Sequence, residues 1–169
     1  MKVLFIVNEL LYTCGVSTHI YNLISGFKKN STIELYLLCG GGVAISKFED
    51  IGIDVLIDEN IKHENRSIRG YIKAILNLSQ LINKYEIDII HSHHHYAASI
   101  AQKSGIFKNV KTIQTNHGIL PEIGFINHFS SNFIIGVNQH IVDYIIRNKI
   151  RPPQKVRLIR ALGYICTLN

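Results

Sequence analysis

At 169 residues the chain can bury one full core, and 47% hydrophobic against 18% charged residues excludes a disordered segment. No apolar run reaches the ~18 residues that cross a bilayer. The net charge of +6 suits phosphorylated ligands or an anionic membrane surface, but the basic residues form no zinc-finger spacing and no basic-aromatic stripe, which argues against nucleic acid.

Residues 3–7 are a continuous β-branched and aromatic run, expected as a strand buried on both faces. Asn8 and Glu9 end it too soon for a signal peptide, which predicts a cytoplasmic protein. A helix follows at 17–29, with Ile20, Leu23, Ile24 and Phe27 at helical spacing. Residues 33–38 read as a second strand, closed by Gly40-Gly41-Gly42 and a short helix near 43–49. A third strand at 53–57 leads through a polar loop to a helix at 67–84, whose inner side is expected to carry Ile68, Ile72, Ile75, Ser79 and Ile82. A fourth strand at 87–90, a helix of small residues at 97–103 and a fifth strand at 110–114 come next. Residues 118–129 are the one long irregular stretch, suited to a flap beside a cleft. A sixth strand at 133–137, a helix from Asn138 with Ile141, Val142, Ile145 and Ile146 inward, and a last strand at 156–159 complete the chain. Seven strands alternating with helices predict an α/β fold: a doubly wound, mostly parallel, Rossmann-like sheet with helices on both faces, in a single domain over 1–169.

Ligands bind such sheets at the carboxyl ends of the strands, and three polar clusters stand where apolar strands run out. After the first strand comes Cys14-Gly15-Val16-Ser17. A glycine before a helix lets backbone amides approach a phosphate, although it also simply permits a tight turn. It is neither a G-x-G-x-x-G nor a Walker sequence, so standard dinucleotide or ATP binding is not supported. After the fourth strand comes His91-Ser92-His93-His94-His95. With a side-chain period of two, His91, His93 and His95 would share one side and could hold zinc. No acidic pair or cysteine completes such a site, so loop histidines lining a polar pocket, without metal, are expected instead. After the fifth strand comes Asn116-His117-Gly118. His117 could donate to a phosphate or sugar oxygen, act as general acid or base, or only pin its loop, and Gly118 would let the backbone turn sharply. Cys14, Cys39 and Cys166 are odd in number without metal spacing, so reduced thiols are expected.

Taken in order, residues 1–8, Gly15-Val16-Ser17-Thr18-His19-Ile20-Tyr21-Asn22-Leu23, Asp88-Ile89-Ile90-His91-Ser92-His93, Thr112-Ile113-Gln114-Thr115-Asn116-His117-Gly118, Ile134-Ile135-Gly136-Val137-Asn138 and Val156-Arg157-Leu158-Ile159 resemble the N-terminal half of a family 4 glycosyltransferase of the two-lobed GT-B architecture. The resemblance implies an acceptor-binding half of an enzyme that moves a sugar from a nucleotide-sugar donor to a glycan or lipid-linked acceptor. It implies His117 as the catalytic residue, Gly15, Val16, His91, His93, Asn116 and Gly118 as substrate-binding residues, no metal, and no cofactor beyond the nucleotide-sugar co-substrate. Cys14 stands where the family often has a second glycine, and the donor-binding C-terminal lobe has no counterpart in these residues. A hexosyltransferase half that is inactive without a donor lobe, in cis or in trans, is therefore expected, located in the cytoplasm with weak attachment to an anionic inner membrane face. A non-catalytic subunit that pairs with a donor-binding chain, and a GT-B-like sugar-nucleotide epimerase, are the alternatives.

Overall fold

The computed structural model describes residues 1–106, 109–119 and 131–160. They form β1 (Lys2–Val7), α1 (Gly15–Phe27), β2 (Glu34–Cys39), α2 (Ile45–Glu49), β3 (Asp54–Ile57), α3 (Ile68–Tyr85), β4 (Ile89–Ser92), α4 (His95–Gly105), β5 (Lys111–Asn116), β6 (Phe133–Gly136), α5 (Gln139–Arg147) and β7 (Val156–Leu158). The seven strands lie in the order β3-β2-β1-β4-β5-β6-β7, and each neighbouring pair is parallel. The order reverses between β1 and β4, so crossovers leave in opposite directions there and open a crevice at the strand ends. Among the described residues no helix is long and apolar enough to cross a membrane. Residues 120–129 of the expected flap, and Cys166, lie outside the described residues.

Strand alternation decides which helix meets which residue. Val3, Phe5 and Val7 of β1, with Leu37 and Cys39 of β2, pack on Ile20 and Ile24 of α1 and Phe48 of α2. Leu4 and Ile6, with Tyr36, Leu38 and Ile90, pack on Ala74, Leu78 and Ile82 of α3 and on Ala97, Ile100 and Ala101 of α4. The sheet is thus covered on both faces, and each fully buried Leu, Ile or Phe contributes about 1.5–3 kcal/mol. A smaller cluster joins Ile134 and Val156 to Ile141, Val142 and Ile145 of α5.

Three expectations need correction. Helix α1 starts at Gly15, so that glycine is its first residue and not part of a preceding turn. Strands β4 and β5 run on to Ser92 and Asn116, because β5 pairs with β6 through Thr115 and Asn116 although both side chains are polar. The inner face of α3 is only half as expected: Ile75, Ser79 and Ile82 are turned in, but Ile68 and Ile72 are 67% and 52% exposed. Gly70, Ala74, Leu78 and Ile82 form the buried ridge instead. Small residues let α3 approach α4 closely enough for Ser104 Oγ to donate to Ile75 O at 3.1 Å, for Ser79 Oγ to donate to Ser104 O at 3.4 Å, and for Tyr71 to bond Ser99.

The loop after β1 is held by the glycine turn after β2. Gly40 N donates to Asn8 O at 2.9 Å, Leu10 N to Gly41 O at 3.0 Å and Ala44 N to Leu10 O at 3.1 Å. Gly42 has φ +132°, and a Cβ there would stand 2.1 Å from Leu10 O. A Gly42→Ala variant should therefore lose about 2–4 kcal/mol of stability. At Gly15, where a Cβ would meet nothing within 4 Å, alanine should leave stability unchanged or raise it by up to about 1 kcal/mol. Urea unfolding of both variants checks the pair.

Candidate functional site at the sheet reversal

Two adjacent strand ends are tied together at the crevice. His93 N donates to Ile6 O at 3.1 Å, and Asn8 N donates to Nδ1 of His94 at 3.4 Å. Leu11 N donates to Ser17 Oγ at 3.0 Å, which fastens the loop after β1 to the first turn of α1. β5 lies beside β4 and delivers Asn116 and His117 to the same edge.

The strand period puts His91 and His93 on one side, their rings stacked with centroids 4.5 Å apart. Both lie on Phe5, at 5.2 and 6.1 Å. His95 does not join them, because the chain turns into α4 there and Nδ1 of His95 meets Nε2 of Gln114 at 3.1 Å. In its place His19 of α1 closes the group. Its ring stands edge-on to His93 at 5.5 Å and to His117 at 5.1 Å, with 5.8 Å between His93 and His117. One nitrogen from each of His19, His93 and His117 lies within 4.8 Å of the other two. Nδ1 of His93 and Nε2 of His117 are 3.5 Å apart.

Sequence reasoning assigned no role to His19. The available signal was its position four residues after Gly15, which places both on one helix face.

Burial sets the charge of these rings. Buried with little water to solvate a proton, the imidazoles resist ionisation, and for His91, His93 and His117 neighbouring histidines add repulsion. His91 and His117 are pushed down to about 3, first by burial and then by neighbouring histidines. His93, 2% exposed, is held well below the ordinary range for the same reasons, and burial also lowers His19. At pH 7 the cluster is a patch of neutral imidazoles that can ligate or hydrogen-bond but bind protons weakly.

A buried polar layer holds the cluster from below. Nε2 of His91 pairs with Thr115 Oγ1 at 2.8 Å, and Gln114 Nε2 donates to Asn116 Oδ1 at 2.7 Å. Among the described residues Oδ1 of Asn8, Nε2 of His93 and Nδ2 of Asn116 are buried without a partner. Buried polar atoms are normally paired, so these three make the edge receptive to a polar ligand.

The remaining expected site residues divide. Gly15 opens α1 without a left-handed φ, so no turn requires a glycine there; its missing side chain leaves clearance. Cys14 offers α1 no side-chain cap, whereas Ser67 caps α3 through Gly70 N at 3.0 Å and Asn138 caps α5 through Ile141 N at 2.9 Å. The first-turn amides of α1 thus have no cap from that side chain and could accept an anion. Val16 turns its side chain to the core beside α1, which leaves only its backbone for a ligand. Gly118 stands next to His117 in open space among the described residues and is not left-handed, so the expected sharp turn is not what requires glycine there.

Acid sensitivity follows from the low basicity of His91. An unfolded histidine takes up a proton near pH 6.5, and the folded one only near 3. Between these values the unfolded state binds the extra proton, so stability is intact above about pH 6.5 and falls as the pH drops toward 3. Replacing His91 by Gln should flatten that fall by about 1.4 kcal/mol per pH unit. Urea midpoints at several pH values within the window test it; an unchanged slope would refute the assignment.

The Glycosyltransferase Family 4 model matches residues 13–160. No curated protein sequence matches the chain. Solved structures of the same fold include three that are informative. The apo form of the lipopolysaccharide outer core galactosyltransferase WaaB is 17% identical with a TM-score of 0.80, over 99% of this chain and 48% of that one. A glycosyltransferase from Rickettsia africae ESF-5 is 13% identical with a TM-score of 0.75, over 94% and 42%. The UDP-N-acetylglucosamine 2-epimerase of Neisseria meningitidis, bound to UDP-GlcNAc, is 16% identical with a TM-score of 0.68, over 94% and 45%. The chain thus spans less than half the length of each. Matched from the loop before α1 to the end of β7, the chain belongs to Glycosyltransferase Family 4, as a domain of the N-terminal type.

Proposed function

We propose that the chain is the acceptor-binding half of a hexosyl-type glycosyltransferase that moves a sugar from a nucleotide-sugar donor to a glycan or lipid-linked acceptor. It works with a donor-binding lobe supplied in cis or in trans and uses no cofactor for transfer. The observation that carries the reading is the neutral His19–His93–His117 cluster at the reversal of a family 4 sheet. The UDP-GlcNAc bound to the Neisseria epimerase, which shares the fold, supports a nucleotide-sugar donor.

Each residue has a role that its chemistry allows. With its pKa near 3, His117 is a poor base at pH 7. It acts by hydrogen bonding to the acceptor hydroxyl or to the sugar, not by removing a proton in the resting state. Gly15 and the uncapped amides of α1 receive donor phosphate or acceptor oxygens. His91 holds His93 and Thr115 in place, and Asn116 and Gly118 border the acceptor.

With the donor lobe supplied, His117→Ala should lower transfer about a hundredfold or more, as loss of one such hydrogen bond does. Its fold, followed by circular dichroism and melting temperature, should be kept. A lowered melting temperature with turnover within a few-fold of wild type would show a loop-pinning histidine instead. Robust transfer by the 169-residue chain alone would refute the half-enzyme reading.

A peripheral site on an anionic inner membrane face belongs to the same proposal. On α3, Ile68, Ile72 and Leu76 form an exposed apolar stripe, with Arg69 and Lys73 exposed beside it. Each well-placed Lys or Arg contributes about 1 kcal/mol near such a surface, screened by salt. Co-sedimentation with anionic liposomes should be seen at low salt, fade at high salt and weaken in Ile72→Asp. No binding at low salt would remove the membrane from the account.

A further inference from the structure

We propose that His19, His93 and His117 form a binding site for one zinc-class divalent ion, with a fourth coordination position left for water or another small oxygen ligand. Two nitrogens bound to one tetrahedral zinc at about 2.05 Å stand about 3.4 Å apart. Nδ1 of His93 and Nε2 of His117 are 3.5 Å apart, and one nitrogen of His19 lies within 4.8 Å of both rings' ligand atoms. A rotation of the half-buried His19 closes the remainder. The three ligands come from α1, from the loop after β4 and from the end of β5, so the set is one that only the folded chain assembles. It differs from the run of adjacent histidines, which contributes His93 alone.

The donor set determines the ion. Imidazole nitrogens favour zinc, copper, nickel and cobalt over magnesium and calcium, which prefer oxygen. His93 is 2% exposed, and among the described residues the polar contact of its Nδ1, the nitrogen aimed at the ion, is the 3.5 Å approach to the imidazole of His117. A ring so enclosed has its polar capacity unmet by the fold. His91, stacked on His93 and bonded to Thr115, fixes that ring from behind.

The ion and the acceptor hydroxyl at His117 would occupy one place, so the ion is a block on transfer and not its cofactor. Ion binding itself is independent of the transferase reading and is measured without substrate.

The test titrates the purified 169-residue chain, stripped by a chelator, with cobalt chloride and then zinc chloride. One cobalt per chain should bind with the visible absorption of a four-coordinate nitrogen site, zinc should displace it, and excess magnesium should not. His19→Ala and His117→Ala should each weaken binding at least about tenfold, with far-ultraviolet circular dichroism unchanged. His140→Ala, exposed on α5, should bind as wild type. His19→Gln serves should His19→Ala fail to fold. Absence of saturable cobalt or zinc binding, or affinity unchanged without His19, or an equal loss in His140→Ala, would overturn the site. None of these outcomes bears on transfer, and a transfer defect in His117→Ala would leave ion binding by the wild-type chain untouched.

Discussion

Strand β1 is committed on every side but one. It pairs with β2 through six residues and with β4 through four, and five of its six residues are buried. Its two edges and two faces are closed, so its carboxyl end is the boundary open to a ligand. The chain leaves β1 toward β2 on one side, and the return enters β4 on the other, which splits the connections and makes a crevice. Gly40 and Gly42 then press against the backbone of Asn8 and Leu10, where any side chain would collide. The position of the site follows from this one strand and the turn that clamps its exit.

Phe5 serves both the core and the site. Its ring belongs to the apolar cluster under α1, and it is also the floor on which His91 and His93 lie. Fixing imidazoles on an apolar floor strips them of water, and the neutral form is what survives. An unpaired buried polar group costs about 1–3 kcal/mol, which the pairs His91–Thr115, His95–Gln114 and Gln114–Asn116 reduce. The cluster therefore keeps hydrogen-bonding and ligating capacity while losing basicity. That trade is what separates a positioning or ligating patch from a general base.

Helices α3 and α4 show how packing distance, not hydrophobicity alone, sets a helix's orientation. Ala74 packs in one buried cluster with Ala97 and Ala101, with serine hydroxyls bonded to backbone carbonyls between the helices. Isoleucines at that contact would hold the helices apart and weaken their hold on the sheet. Ile68 and Ile72 are consequently left outside. Helix α4, pressed between α3 and the sheet, is buried over most of its surface, and its start sets where His93 and His94 emerge.

Much of this protein was legible in one dimension. Apolar runs of four to seven residues separated by helical periodicity are dictated by burial on both faces, so the alternating elements, the α/β class and the strand ends bearing His93 and His117 could all be read from residue type and spacing. Polar strand residues such as Thr115 and Asn116 could not be placed, because their membership depends on pairing with β6. The face of α3 was misjudged because residue apolarity says nothing of how closely two helices approach. The histidine cluster needed the fold most of all. Adjacency in sequence suggested His91, His93 and His95, but the turn into α4 removes His95, and the crossover of α1 brings in His19 from 74 residues away in the chain. Local sequence determined which residues could carry chemistry at a strand end; only the juxtaposition of β1, β4, β5 and α1 decided which imidazoles meet, and burial decided that they meet uncharged.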